Sequence, residues 1–320
     1  MMSHRVLVPP DLSGSGRQYL LDRYYELIVS KEMRDKENVV QTCDAVLLHG
    51  ESLSSKVLQN AGNRLKAISA SRTMQDQADL LCASRLGIWV VDVDAVSYLS
   101  RAEYEIALLL SCCKQITRMD FLAHSQNETD FRPHNSTELY GKRIGFVGWD
   151  EVAFLVAQKC RLAFDMECCC YMDDDWKIVQ STVRHCESLE ELFVVSDFIC
   201  IHTPCVPELG LNLFKRMKPT AYMICMYDIA ALRCRDLCDA LHMDMLAGVA
   251  VNESVRAQTD GEQLLQNPLV TPILRSAYHT YESINRTDLF AAQALDSILS
   301  GRAVPELCTH PVNPRICLRS

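Results

Sequence analysis

The chain has 320 residues, 48% apolar and 23% charged, values that suit a folded protein long enough for two domains and exclude a disordered or fibrous one. With 41 acidic against 32 basic side chains the net charge is −9, and no basic run occurs, so neither a nucleic-acid nor a membrane partner is expected. No apolar stretch approaches the ~18 residues of a membrane span, and MMSHRVLVPP lacks the apolar core of a secretory signal.

The first predicted strand is RVLVPP (residues 5–10), followed by a polar turn and an apolar-periodic helix to about Tyr24. DAVLLHG (44–50), LKAISAS (65–71) and IWVVDVD (88–94) are further short, continuous apolar runs, which read as parallel strands buried on both faces. A helix is expected over residues 101–115, then a turn-rich loop over 123–137. A second alternating series follows, with strands RIGFVG, CCCYM, FICIH, AYMICM, LAGVAV and LVTP, and a closing helix over 288–301. Such alternation predicts doubly wound parallel sheets. The 16 cysteines include adjacent pairs within apolar runs and no C-x-x-C, so buried free thiols are expected, in a reducing, intracellular (cytoplasmic) compartment, with no metal site. PPDLS (9–13) has a P-x-D-L-S form but sits where a strand turns into a helix, and a turn is the expected role.

Several stretches together resemble the D-isomer-specific 2-hydroxyacid dehydrogenases, a family that includes phosphoglycerate dehydrogenases and the C-terminal-binding-protein corepressors. LYGKRIGFVG is similar to the family's L-x-G-K-x-x-G-x-x-G entry to its cofactor domain. SLEELFVVSDFICIHTP is similar to its L-x-x-L-x-x-x-S-D-x-x-x-x-H-x-P signature, and RMKPTAYMI to its M-K-P strand. The resemblance implies an α/β protein of two domains. Residues 1–100 with 288–320 would form a flavodoxin-like, substrate-type domain, and 101–287 a Rossmann-type, NAD-binding-like domain. It also implies a homodimer through the second domain, with the helix over 101–115 a candidate for the interface or for the core.

The family's chemistry uses an arginine, a glutamate and a histidine, and here none stands in its place. Eleven residues past Met217, where the family has its arginine, is Asp228. The glutamate position falls on Ala257, with Glu253 and Glu262 nearby, and the histidine of T-P-H falls on Ile273 in VTPILRS. His279, six residues on, is the one candidate to stand in. The R-x-G-x-G substrate turn is replaced by SASRTMQDQAD, with Arg72 and Met74 at the glycine positions.

The dinucleotide turn is also altered. In G-x-G-x-x-G the second glycine lets the backbone approach a pyrophosphate; the three positions here are Gly148, Asp150 and Ala153. An aspartate at a helix start opposes a phosphate but caps the helix and meets its dipole favourably. Further cofactor-lining candidates implied by the resemblance are Val152, Asp173, His202, Pro204 and Asn252, with Asp173 equally a solvated turn residue. The expectation is no bound cofactor, or NAD(H) if any. Three functions stay open: a catalytically inactive homologue (pseudoenzyme) acting as a partner-binding or scaffold protein, an NAD(H)-dependent oxidoreductase of 2-hydroxy or 2-oxo acids with displaced catalytic residues, and a non-catalytic nucleotide or metabolite sensor.

Overall fold

Short apolar runs fold here as parallel strands, because residues that alternate across the pleat are buried on both sides of the sheet. The computed structural model describes residues 4–29, 38–49, 53–70, 77–92, 94–124, 136–172, 182–203, 208–227, 231–274 and 278–303. The chain divides into two units, Met1–Tyr98 with His279–Ser320, and Leu99–Tyr278.

In the first unit, strands β1 (Arg5–Val8), β2 (Glu26–Val29), β3 (Ala45–Leu48), β4 (Ala67–Ala70) and β5 (Trp89–Asp92) form one parallel sheet in the order β2-β1-β3-β4-β5. Leu7, Val46, Leu48, Ile68 and Val90 face one core, with Val57 and Leu58 of a short helix. Val6, Val8, Ala45, Leu47, Ala67 and Val91 face the other, against Leu20 and the alanines 291, 292 and 294 of the C-terminal helix. Helices α1 (Gly14–Asp22), α2 (Ser55–Ala61) and α3 (Gln77–Leu86) lie in the N-terminal part. The P-x-D-L-S stretch is a turn and cap: Leu12 N–H donates to Pro9 O, Leu12 is buried, and Ser13 Oγ accepts from Gly16 N–H.

The second unit contains β6 (Arg143–Val147), β7 (Glu167–Tyr171), β8 (Arg184–His185), β9 (Phe198–Ile201), β10 (Tyr222–Cys225), β11 (Gly248–Asn252) and β12 (Val270–Ile273). They form one parallel sheet in the order β12-β11-β10-β9-β6-β7-β8. The helices are α4 (Tyr98–Lys114), α5 (Ile116–His124), α6 (Glu151–Phe164), α7 (Leu189–Val195), α8 (Leu211–Phe214), α9 (Cys234–His242), α10 (Gly261–Leu265) and, returning to the first unit, α11 (Tyr281–Leu299). Close packing fixes Gly145 on β6, where an added Cβ would lie 2.3 Å from Ser196 Oγ.

Several expectations need correction. The second boundary lies at 278/279, not 287/288, because α11 starts at Tyr281 with a Thr280–Ser283 capping box. The polar residues of that first turn read as loop in the sequence. Strands β2 and β8 were not expected; β2 is a half-exposed edge containing Glu26, and β8 has two residues. The helix expected over 101–115 is α4, and its apolar stripe is spent on the core, burying Ala102, Leu108, Leu109, Cys112 and Cys113.

Among the described residues the cysteines are free thiols, all buried except Cys82. Burial pushes thiols such as Cys112 and Cys160 up, Cys160 to about 12, whereas hydrogen bonds with Cys186 and Ser196 hold Cys169 below the ordinary thiol value. Also among the described residues, no cluster of three or more Cys, His, Asp or Glu suits a metal ion, and no helix is long and apolar enough to cross a membrane.

Candidate functional site

The order of the seven-stranded sheet reverses between β6 and β9, so the carboxyl ends of these two strands flank the crevice where doubly wound sheets hold ligands. Gly148 turns the chain after β6 at φ +85°, and a Cβ there would lie 2.9 Å from the Thr203 side chain. Glycine is therefore required at this position both for conformation and for space. Asp150 then caps α6: its Oδ1 accepts the Ala153 N–H at 2.8 Å. Val152 and Ala153 are buried in the core beneath.

His202 follows β9 and is enclosed. Its Nδ1 lies 2.9 Å from Asp150 Oδ1 and its Nε2 lies 2.9 Å from Glu105 Oε1. Both partners are carboxylates, which only accept, so both ring nitrogens donate and the ring is an imidazolium. Burial opposes that charge, but the Glu105 and Asp150 carboxylates outweigh it and raise the imidazole to about 10. Burial alone would raise the Asp150 carboxyl, yet His202, with Ala153 N–H and the Tyr227 hydroxyl, holds it below the ordinary carboxylate value. Tyr227 O–H donates to Asp150 Oδ2 at 3.1 Å, and the buried Cys200 thiol is pushed well up by burial and by the Glu105 charge. A chain of polar groups thus runs Tyr227, Asp150, His202, Glu105, with His202 and Glu105 buried and the Asp150 carboxylate partly open to solvent.

The flavodoxin-like order of the first unit has its own switch point, between β1 and β3. A cleft of ≈ 400 Å³ there is lined by residues including Asp11, Ser13, His49, His279 and Asp288. His49 Nε2 lies 2.7 Å from the buried Asp288 and Nδ1 lies 3.2 Å from Asp11. Burial disfavours the charged ring, but Asp288 and then Asp11 outweigh it, so the His49 pKa is raised. Ser13 N–H donates to the other Asp288 oxygen at 2.8 Å, tying the start of α1 to α11.

The candidate residues are thus dispersed. Gly148, Asp150 and His202 come together at the second unit's switch point. Asn252 has a structural role, donating to Met226 O and capping the 3-10 turn Glu253–Ala257. Ala257 ends that turn, exposed; Ile273 ends β12, completely buried; His279 lies in the first unit's cleft. Asp173, Pro204 and Asp228, with Arg72 and Met74 of the substrate-type turn, lie outside the described residues. Sequence reasoning missed Glu105, His49 and Asp288. For Glu105 the signal was present: it shares a helical face with Leu108, Leu109 and Cys112, and a buried acid on such a face needs a partner.

The groups that a dinucleotide pyrophosphate would use do not fit it here. The first glycine role survives in Gly148, but the Ala153 N–H in the first turn of α6 is already bonded to Asp150, whose carboxylate adds bulk and charge at the second-glycine position.

The family profile described as "D-isomer specific 2-hydroxyacid dehydrogenase, NAD binding domain" matches residues 106–272, more than half of the chain. The chain is 27% identical to Bacillus subtilis D-3-phosphoglycerate dehydrogenase over 278 residues, 83% of this chain and 51% of that protein. It spans only about half the length of that relative. It is also 27% identical to Thermofilum pendens glyoxylate reductase over 296 residues, 88% of this chain and 84% of the relative. In fold it is similar to D-mandelate dehydrogenase of Rhodotorula graminis, with a TM-score of 0.83 at 16% identity, covering 97% of this chain and 98% of that one. It is likewise similar to D-lactate dehydrogenase with NAD+ from Lactobacillus jensenii, with a TM-score of 0.78 at 20% identity, covering 94% and 98%. The chain belongs to the D-isomer specific 2-hydroxyacid dehydrogenases, an NAD-dependent family.

Proposed function

We propose that this chain is a family member that does not perform the family's hydride and proton transfer and works instead by binding a partner. The observation that carries the proposal is Ile273. Where the T-P-H motif supplies the acid-base histidine, this chain has a hydrocarbon side chain, fully buried at the end of β12. Reducing a 2-oxo acid requires a proton at the carbonyl oxygen and a cation beside the carboxylate. Ile273 and Ala257 supply neither, and Asp228 at the arginine position would repel the substrate. Binding as a homodimer belongs to the same proposal.

A second reading is favoured by the relatives, which are named as dehydrogenases and reductases. In it the chain is an NAD(H)-dependent oxidoreductase of a 2-hydroxy or 2-oxo acid, with His279, which lines a cleft, as the displaced acid-base group. The test is oxidation of NADH and NADPH with a panel of short 2-oxo acids, and the reverse reaction with the 2-hydroxy acids. The proposal expects no turnover above the protein-free rate. Turnover that His279→Ala abolishes would establish the second reading.

A further inference from the structure

Three donors converge on one carboxylate at the second unit's switch point. The Ala153 N–H, from the first turn of α6, and His202 Nδ1, from the residue after β9, both reach Asp150 Oδ1, at 2.8 and 2.9 Å. The Tyr227 hydroxyl, from a residue just beyond β10, reaches Oδ2 at 3.1 Å. Such a set, a helix-start amide with a cation and a hydroxyl, is what proteins assemble around an oxyanion. The anion it holds is part of the chain.

We infer that Asp150 is a tethered ligand: its carboxylate fills an oxyanion cradle made by Ala153, His202 and Tyr227, so that the cradle is saturated from within and closed to phosphate-bearing ligands. This goes beyond the absence of catalysis, since an inactive homologue could still bind a nucleotide. Occupancy, more than bare repulsion, does the closing. The His202 imidazolium, shared with Glu105, offsets only part of the Asp150 charge, but the donors are used as well. An intramolecular competitor acts at an effective concentration of ~mM or more, which a free anion would have to exceed. Removing Asp150 leaves His202 paired with Glu105 at 2.9 Å, a balanced ion pair, and frees the amide and the hydroxyl.

The test uses the full chain, inorganic pyrophosphate as probe, and two variants. Calorimetric titration of the natural protein should show no saturable heat to millimolar pyrophosphate, and the Ala153 amide resonance should not move. Asp150→Gly should bind pyrophosphate saturably, at least tenfold more tightly than any binding by the natural protein. Asp150→Asn keeps an acceptor oxygen in the cradle and should behave like the natural protein. The inference is overturned if the natural protein binds pyrophosphate with a shift at Ala153, if folded Asp150→Gly gains nothing, or if Asp150→Asn gains as much as Asp150→Gly, since charge alone would then be the barrier. Should Asp150→Gly not fold, the natural protein and Asp150→Asn still decide. Turnover of 2-oxo acids is read separately, so failure here leaves the catalytic proposal standing.

Discussion

Asp150 and His202 meet at 2.9 Å across the two strands that flank the switch point, and each explains the other. The carboxylate holds the ring's charge in an apolar interior, and the ring allows a carboxylate to stand where a nucleotide-binding turn has glycine. Glu105, on the far side of the ring, completes an acid–base–acid arrangement in which the ring and Glu105 are buried and Asp150 is partly exposed.

Removing the ring should therefore cost more than removing the cap. His202→Gln leaves the Glu105 and Asp150 carboxylates without their shared cation, and breaking the buried pair with Glu105 alone costs about 3–5 kcal/mol. Asp150→Gly leaves a neutral pair and a glycine cap, with a loss of about 2 kcal/mol or less. Denaturant unfolding of the two variants checks the order; equal losses, or the reverse order, would contradict the network.

The same pair sets a pH dependence. His202 is raised to about 10 in the folded chain from an ordinary value near 6.5, so its contribution is fully present below about pH 6.5 and is lost as pH rises towards 10. Asp150 is lowered, so its contribution is present above the ordinary carboxylate value and is lost as pH falls. Melting curves of natural protein and His202→Gln should lie furthest apart between the ordinary carboxylate and imidazole values, 3.8 and 6.5, and converge towards pH 10. A gap that widens with alkali would mean that the ring is neutral.

In the first unit, two glycines of α1 make a matched pair. A Cβ on Gly16 would lie 2.9 Å from the Asp288 backbone oxygen, whereas one on Gly14 meets nothing within 4 Å. Gly16→Ala should destabilise by about 1–3 kcal/mol through overpacking. Gly14→Ala should be neutral or slightly stabilising, within about 1 kcal/mol. Thermal melts of both variants check the close approach of α1 and α11.

Dimerisation is read most simply by mass. Helix α5 buries none of its residues, and Ile116 and Phe121 are 54% and 70% exposed. A dimer that covers this helix should give twice the chain mass in light scattering at micromolar concentration, and Phe121→Glu should shift it towards monomer. A monomeric natural protein would remove the dimer from the account.

The parallel strands of both sheets were legible because continuous runs such as FICI and GVAV carry their burial in their composition. Strand β2 was not, since an edge strand half open to water has no such run. The start of α11 was hidden by a polar first turn whose capping box uses serine in place of the usual glutamate or glutamine. At the site, the Asp150 cap could be read from its place before an apolar-periodic helix. Its pairing with His202 could not, because 52 residues separate them and only the reversal of strand order brings them together.

The central claim is that this unit, built on a nucleotide-binding plan, is complete without a nucleotide. The most direct measurement is calorimetric titration of NADH into the natural protein and into Asp150→Gly, side by side. The account predicts weak or no binding by the natural protein and a gain of at least tenfold in the variant. Micromolar binding by the natural protein, unimproved in Asp150→Gly, would contradict it.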